Sequence, residues 1–189
     1  MTPQSLSRAE WYNNVATFTS KAAAHNATLP FTRNVVEAMD YTPCAFTDSQ
    51  HPHITTDAHE LALTVIFESG IQHLADRSES VLAQPEAIKD FLSELPAAWD
   101  DTMLLGGYSG EYVVMARQKG SKWYMAGING KDSAMNLGLD LSRIPGIKSR
   151  VTVIADSDGW WSITSATELP DSIMLKPRGG FIITFNSQK

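Results

Sequence analysis

The chain has 189 residues, of which 43% are hydrophobic and 19% are charged, and its formal net charge is -6 at pH 7. This composition is typical of a globular chain of one ordinary domain or two small ones. The negative charge argues against nucleic acid or an anionic membrane as a partner. The single cysteine, Cys44, excludes an internal disulfide and a Cys-x-x-Cys site. No run of about 18 apolar residues is present, which excludes a transmembrane helix.

The first half of the chain carries apolar residues at helical spacing. A first helix is predicted from residues at i, i+4, i+7 and i+11, namely Trp11, Val15, Phe18 and Ala22. A second is predicted to begin at Asp57, with Glu60 completing a capping box, and to continue through HELALTVIFESGIQHLAD at 59–76. Its apolar residues form two stripes, which predicts burial from more than one side. A third helix is predicted over PEAIKDFLSEL, which begins at Pro85 and ends before Pro96.

Between the first two helices lies LPFTRNVVEAMDYTP, residues 29–43. Its first part, FTRNVV, is predicted to form a short buried strand that leads into an ordered loop.

After Trp99 the apolar pattern changes from a helical period to alternation. Six segments predict short strands: EYVVMARQ (111–118), KWYMAGIN (122–129), MNLGLDL (135–141), SRVTVIAD (149–156), WWSITSAT (160–167) and GGFIITFN (179–186). Turn-forming stretches separate them, and the turn at Gly120 indicates a hairpin. This spacing predicts an antiparallel sandwich or open barrel.

Four segments, in order, resemble the C-terminal part of glycoside hydrolase family 97, a family of α-glucosidases and α-galactosidases. They are LPFTRNVVEAMDYTP, HELALTVIFESGIQHLAD, FLSELPAAWDDT and GEYVVMARQKGSKWYMAGIN. The resemblance implies an N-terminal β-sandwich, a catalytic (β/α)8 barrel and a C-terminal antiparallel β domain in the whole enzyme. It therefore implies an α+β fold here, with the last βα segment of the barrel at residues 1–96 and the β domain at residues 97–189. Because a barrel takes about 250 residues, most of it is expected to precede residue 1.

The opening residues MTPQSLSRAEWY are similar to a family segment of the type MTxExxxGxEWY. The resemblance assigns Glu10 to the general acid of the glucosidase branch, although a first-turn acid stabilising a helix dipole is the simpler alternative. Gln4 stands where a calcium-binding glutamate is expected, and Arg8 stands where glycine is usual. The resemblance thus implies calcium in the full-length enzyme, while Gln4 removes one charge from its shell. Met1 is expected to correspond to a position in the interior of the full-length family sequence.

The other candidate residues each have two interpretations. Arg33 and Asp40 either line the sugar site at a strand end, or pair with each other or with backbone. His51, His53 and His59 lie close in sequence, but without an HExxH arrangement they are predicted to be solvated loop histidines. Four aromatics are candidates for a sugar platform, although core packing is the favoured interpretation: Tyr112, Trp123, Trp160 and Trp161. The stretch GGYSG at 106–110 is predicted to be a turn and not a phosphate cradle.

We therefore expect a C-terminal fragment of an enzyme that cleaves terminal α-glucosidic or α-galactosidic bonds, inactive by itself because the base or nucleophile precedes residue 1. The alternatives are a free-standing β-domain carbohydrate-binding or interaction module with a helical lead-in, and a domain that only supports the barrel. The substrate of the full-length enzyme would be an oligosaccharide. The fragment is expected to self-associate. It is expected in the cytoplasm as it stands, or outside it if a longer parent is exported.

Overall fold

The computed structural model describes residues 19–44, 46–47 and 53–187. In these residues the helical part comprises α1 (Ala22–Asn26), a 3₁₀ helix (Leu29–Phe31), α2 (Arg33–Val36), α3 (Asp57–Ile66), α4 (Ser78–Leu82) and α5 (Glu86–Ser93). The strands are β1 (Asp101–Tyr108), β2 (Tyr112–Lys119), β3 (Lys122–Asn129), β4 (Met135–Gly138), β5 (Val151–Asp156), β6 (Trp161–Ala166), β7 (Ser172–Leu175) and β8 (Gly180–Asn186). No helix among the described residues is long and apolar enough to cross a membrane.

The strands form an antiparallel β domain, as the sequence predicts. Six of them make one sheet in the order β1-β2-β3-β8-β5-β6, while β4 and β7 pair as a separate ribbon. The sheet is not closed into a barrel. The hairpin between β2 and β3 turns at Gly120, whose φ of 60° favours glycine.

The predicted turn at 106–110 is only partly correct, because Gly106 and Gly107 belong to β1. A Cβ on Gly107 would lie 2.5 Å from the ring of Phe31, and its φ is 157°. Gly107 therefore lets Phe31 of the helical part approach the strand, a long-range contact that the local sequence does not reveal.

Two apolar cores lie on opposite faces of the six-stranded sheet. The first joins the sheet to α3 and to its helical neighbours, and its sheet residues are Val113, Tyr124, Ala126, Ile128, Ile154 and Ile182. The second lies between the sheet and the ribbon, and it includes Val114, Trp123, Met125, Leu137, Leu175, Phe181 and Phe185. The β domain thus closes one face with its own ribbon, whereas α3 closes the other. The predicted boundary at residues 96 and 97 stays a prediction, and a core passes across it.

Helix α3 is buried from several sides, which confirms the expectation from its two apolar stripes, but its ends differ from the prediction. The N-cap is Thr56, whose hydroxyl accepts a hydrogen bond from His59 N at 3.2 Å. The carboxylate of Glu60 instead accepts from Thr55 Oγ1 at 2.6 Å. The helix ends at Ile66, because the backbone adopts an extended conformation at Phe67. The predicted continuation to residue 76 is therefore wrong.

The prediction of a strand at FTRNVV is also wrong. The chain there forms the 3₁₀ helix and α2, and Val35 and Val36 are exposed. The side chain of Asn34 accepts from Glu68 N at 2.8 Å and donates to Glu68 O at 3.1 Å. The Asn34 amide therefore binds the backbone groups of Glu68, where a neighbouring strand would otherwise pair.

A buried cation joins the helical part to the sheet. Arg117 on β2 is 2% exposed, and its guanidinium donates to Ile66 O at the end of α3 at 3.0 Å and to Thr102 Oγ1 on β1 at 3.0 Å. It also lies 3.3 Å from Glu68 Oε2 and 5.7 Å from the centre of the Trp99 ring. Burial lowers the pKa of Arg117, and the Glu68 carboxylate opposes that shift.

Candidate functional site

The chain on either side of α3 forms a short parallel pairing. Tyr41 bridges Gln72 in parallel, Met39 N donates to Glu68 O at 2.9 Å, and Ala75 N donates to Pro43 O at 2.9 Å. Parallel segments need a crossover connection, most often a helix, and α3 is that connection here. The last βα segment of a barrel would have this local geometry, and its assignment to these residues stays a prediction.

The carboxyl ends of the two paired segments are held by Asp76. Its Oδ2 accepts from Phe46 N at 2.8 Å, and its Oδ1 accepts from Thr47 Oγ1 and from Arg77 N, each at 2.7 Å. Partial burial would raise the pKa of Asp76, but these hydrogen bonds outweigh it and lower the pKa. An ionised carboxylate held in this way fixes the loop after the first segment and is unsuited to donating a proton.

Asp76 cannot be singled out from the sequence, because the stretch LADR at 74–77 matches no motif. The catalytic face of (β/α)8 barrels lies at the carboxyl ends of the strands. Asp76 therefore occupies the end of the paired segments where a barrel would place its site.

The predicted substrate residues do not pair with each other. Arg33 Nη2 lies 3.1 Å from Glu37 Oε1 within the same short stretch, and Arg33 Nη1 donates to Glu37 O. Asp40 is exposed and precedes Tyr41 of the parallel bridge. The backbone interpretation fits Arg33, while a substrate role for either residue stays a prediction.

The residues of the opening motif, Gln4 and Glu10, lie outside the described residues. Their predicted roles as a calcium ligand and as the general acid are therefore not judged from the geometry. Within the described ranges, no three His, Cys, Asp or Glu side chains are grouped as metal ligands would be.

The histidine prediction is wrong for His59 and not testable for His51, which lies outside the described residues. His59 is fully buried on α3, where Asn26 Nδ2 donates to its Nε2 at 3.1 Å. Tyr41 donates its hydroxyl to Asn26 Oδ1 at 3.1 Å, which completes a buried chain of three side chains. Burial lowers the pKa of His59 to about 3. His53 lies 3.4 Å from Asp57 Oδ1, near the start of the same helix.

The aromatic candidates divide between the core and the surface. Trp123 stacks on Phe185 with ring centres 6.5 Å apart, which confirms core packing for this residue. Trp161 donates to Gln84 Oε1 at 3.0 Å and packs its ring edge-to-face with Phe46. Trp160 is 48% exposed and donates to Asp57 Oδ2 at 2.6 Å. The β5–β6 turn therefore lies against the start of α3, on the side of the Asp76 carboxylate network.

The chain is similar to known proteins over most of its length. Residues 98–186 match the family model described as "Glycosyl-hydrolase 97 C-terminal, oligomerisation". A probable retaining α-galactosidase of Streptomyces bingchenggensis (strain BCW-1) is 41% identical over 157 residues, which cover 82% of this chain and 22% of that protein. A retaining α-galactosidase of Bacteroides thetaiotaomicron is 33% identical over 142 residues, which cover 70% of this chain and 21% of that protein. The chain thus spans about a fifth of the length of these curated relatives.

Solved structures share the fold over nearly the whole chain. A β-arabinopyranosidase crystal structure superposes with a TM-score of 0.84 and 28% identity, covering 95% of this chain and 30% of that one. A glycoside hydrolase family 97 enzyme from Pseudoalteromonas sp. strain K8, in complex with panose, superposes with a TM-score of 0.78 over 91% of this chain and 30% of that one. At 24% identity, the second match shows the fold alone.

Proposed function

Since this chain belongs to glycoside hydrolase family 97, as the C-terminal part of such an enzyme, we propose that its function is to support a catalytic barrel and to carry the assembly contact of the enzyme. The observation that carries the proposal is the core shared by α3 and the sheet. A barrel helix that closes one face of the β domain fixes that domain against the barrel.

The same observation disfavours a free-standing carbohydrate-binding module. Such a module would bury its sheet with its own chain and present an aromatic platform to sugar. Here one sheet face is closed by α3, the other face is closed by the ribbon, and Trp123 is buried between the sheet and the ribbon. Trp160 is exposed, but its indole N–H already donates a hydrogen bond to Asp57.

The activity of the parent enzyme is proposed from the relatives. Both curated relatives bear the description of retaining α-galactosidases, which favours that branch over the glucosidase branch. A retaining enzyme needs a carboxylate nucleophile and an acid/base carboxyl about 5 to 5.5 Å apart. In our proposal Glu10 supplies the acid/base group. The resemblance implies that the nucleophile precedes residue 1, and we propose that Arg33 and Asp40 contact the sugar in the complete site.

The resemblance implies calcium for glucosidase-type members, and Gln4 stands where one of its glutamate ligands is expected. A site that prefers anionic oxygens would lose one charge at Gln4. We therefore propose no step that passes through calcium in this chain.

The experiment that tests the proposal is an activity assay of the purified chain. We expect no hydrolysis of nitrophenyl α-galactoside or nitrophenyl α-glucoside above background, with or without calcium, since loss of an essential carboxylate costs orders of magnitude in rate. The full-length Bacteroides relative is the positive control. Turnover by the chain that disappears in Glu10→Gln would show that the chain carries a complete catalytic site, and would contradict the proposal.

A further inference from the structure

The six-stranded sheet ends in two edge strands, β1 and β6. Unpaired edges expose backbone N–H and C=O groups that can pair with another chain, so proteins usually blunt them with charges, bulges or covering groups. The two edges of this sheet differ sharply in this respect.

The β1 edge carries several of these protective features. Its pairing with β2 is interrupted by a bulge between Leu104 and Gly106. The guanidinium of Arg143 lies over the edge and donates to Leu104 O at 3.4 Å. A charged residue, Asp101, stands at the start of the strand. This edge is poorly suited to accept another strand.

The β6 edge carries none of these features. Its sequence, WSITSA, contains no charged residue and no proline, and its register with β5 runs without a bulge. Ile163, Thr164 and Ser165 are exposed. In the part of the chain that the structure describes, no backbone hydrogen bond from another segment reaches this strand on its open side.

We propose that β6 is the strand through which two copies of this chain associate, edge to edge and antiparallel, so that their two sheets become one. The proposal rests on the assembly role proposed above and names the partner and the contact. The family description of residues 98–186 includes oligomerisation, and this range contains the whole of β6. A second copy is the occupant that this description favours.

The strand is also self-complementary. In a two-fold antiparallel pair one residue faces its own copy, and a central axis through Thr164 places Thr164 opposite Thr164. Ile163 then faces Ser165, and Ser162 faces Ala166. Threonine pairs across strands are favourable, while like charges directly opposite are destabilising. No like charges face each other within this strand, although the chain as a whole has a net charge of -6. A two-fold contact of this kind is closed and stops at a dimer.

Sedimentation velocity of the full chain tests the proposal with three single-lysine variants. We expect the wild-type chain to form a dimer. Thr164→Lys should make it a monomer, because two lysines then face each other across the axis. Met174→Lys on the ribbon and Val36→Lys on α2 are matched controls, since both residues are exposed and lie outside β6. Both controls should remain dimers.

An exchange experiment tests the geometry of the contact. An equimolar mixture of the Thr164→Lys and Thr164→Glu chains should regain the dimer, because opposite charges then face each other. A mixture of Met174→Lys and Met174→Glu should behave like wild type.

A monomeric wild-type chain, a Thr164→Lys chain that still dimerises, or a dimer abolished by Val36→Lys or Met174→Lys would each overturn the proposal. These outcomes are separate from the activity assay, so failure of the β6 contact would leave family membership and the supporting role intact.

Discussion

His59 is fully buried and accepts a hydrogen bond from Asn26, so its protonation affects the stability of the folded chain. Burial lowers the pKa of His59 to about 3, whereas an unfolded histidine titrates near pH 6.5. Between these two values the unfolded chain binds one more proton than the folded chain. The free energy of unfolding must therefore fall as the pH falls through this window.

We predict that His59→Gln removes this contribution. Glutamine can still accept a hydrogen bond from Asn26 but does not titrate. The free energy of unfolding of the wild-type chain should lose up to about 1.4 kcal/mol per pH unit relative to the variant between pH 6.5 and pH 3. Urea unfolding at a series of pH values measures the difference between the two chains.

Comparison of the two chains isolates His59 from its neighbour Glu60. Burial raises the pKa of Glu60, so its contribution to stability changes in the opposite direction, but it is present in both chains. Parallel pH profiles for wild type and His59→Gln would contradict the predicted role of His59.

Residues differ in how far the sequence reveals them. Alternation on β3 predicted the burial of Trp123, because its partner Phe185 lies on a strand with the same alternation. His59 looked like a loop residue because it lies near His51 and His53. Strand β8, from the other half of the chain, lies against the backbone of His59 at Gly180. Asp76 gave no signal at all, since its role depends on backbone groups of Phe46 and Arg77.

At the scale of elements, the contact between α3 and β8 depends on a missing side chain. A Cβ on Gly180 would lie 2.6 Å from His59 Cα, 2.8 Å from Ala58 O and 2.8 Å from His59 N. All three are backbone atoms, which have no flexible end that can move aside. The helix can approach the strand this closely only because residue 180 is glycine.

We predict that Gly180→Ala forces α3 away from β8 and destabilises the chain by about 1 to 3 kcal/mol, the usual cost of overpacking a core. Gly138→Ala on β4 is the matched control, because no atom lies within 4 Å of a Cβ at that position. The control should change the free energy of unfolding by less than about 0.5 kcal/mol. Equal effects of the two substitutions in urea unfolding would contradict the tight contact.

The elements that the sequence predicted well are those specified by their own pattern. The alternation of KWYMAGIN coincides with β3 (Lys122–Asn129), and PEAIKDFLSEL contains α5 (Glu86–Ser93) between its two prolines. The prediction of a strand at FTRNVV failed because the local pattern does not show the contact of Asn34 with Glu68, which lies in a distant part of the chain. Helix α3 ends at Ile66 for a related reason, since the residues after it pair in parallel with the segment around Tyr41.

At the scale of the whole molecule, the helical part and the β domain share one core. The sheet face toward α3 contributes Tyr124, Ile128 and Ile182 to the same cluster as Leu61, Leu63 and Ile66 of the helix. Arg117 adds a buried hydrogen bond from β2 to the last residue of α3. We propose that this shared core makes the β domain a support of the barrel of a family 97 enzyme, and not an independent module.

Native-state hydrogen exchange of the full chain tests this claim most directly. Segments that open only with global unfolding share one opening free energy. We predict that the amides of Leu63 and Val65 on α3 exchange with the same opening free energy as those of Met125 on β3 and Ile182 on β8. Rapid exchange of α3 by a separate, lower-energy opening, while the sheet remains protected, would contradict the account and favour a self-sufficient β module with a loosely attached helical lead-in.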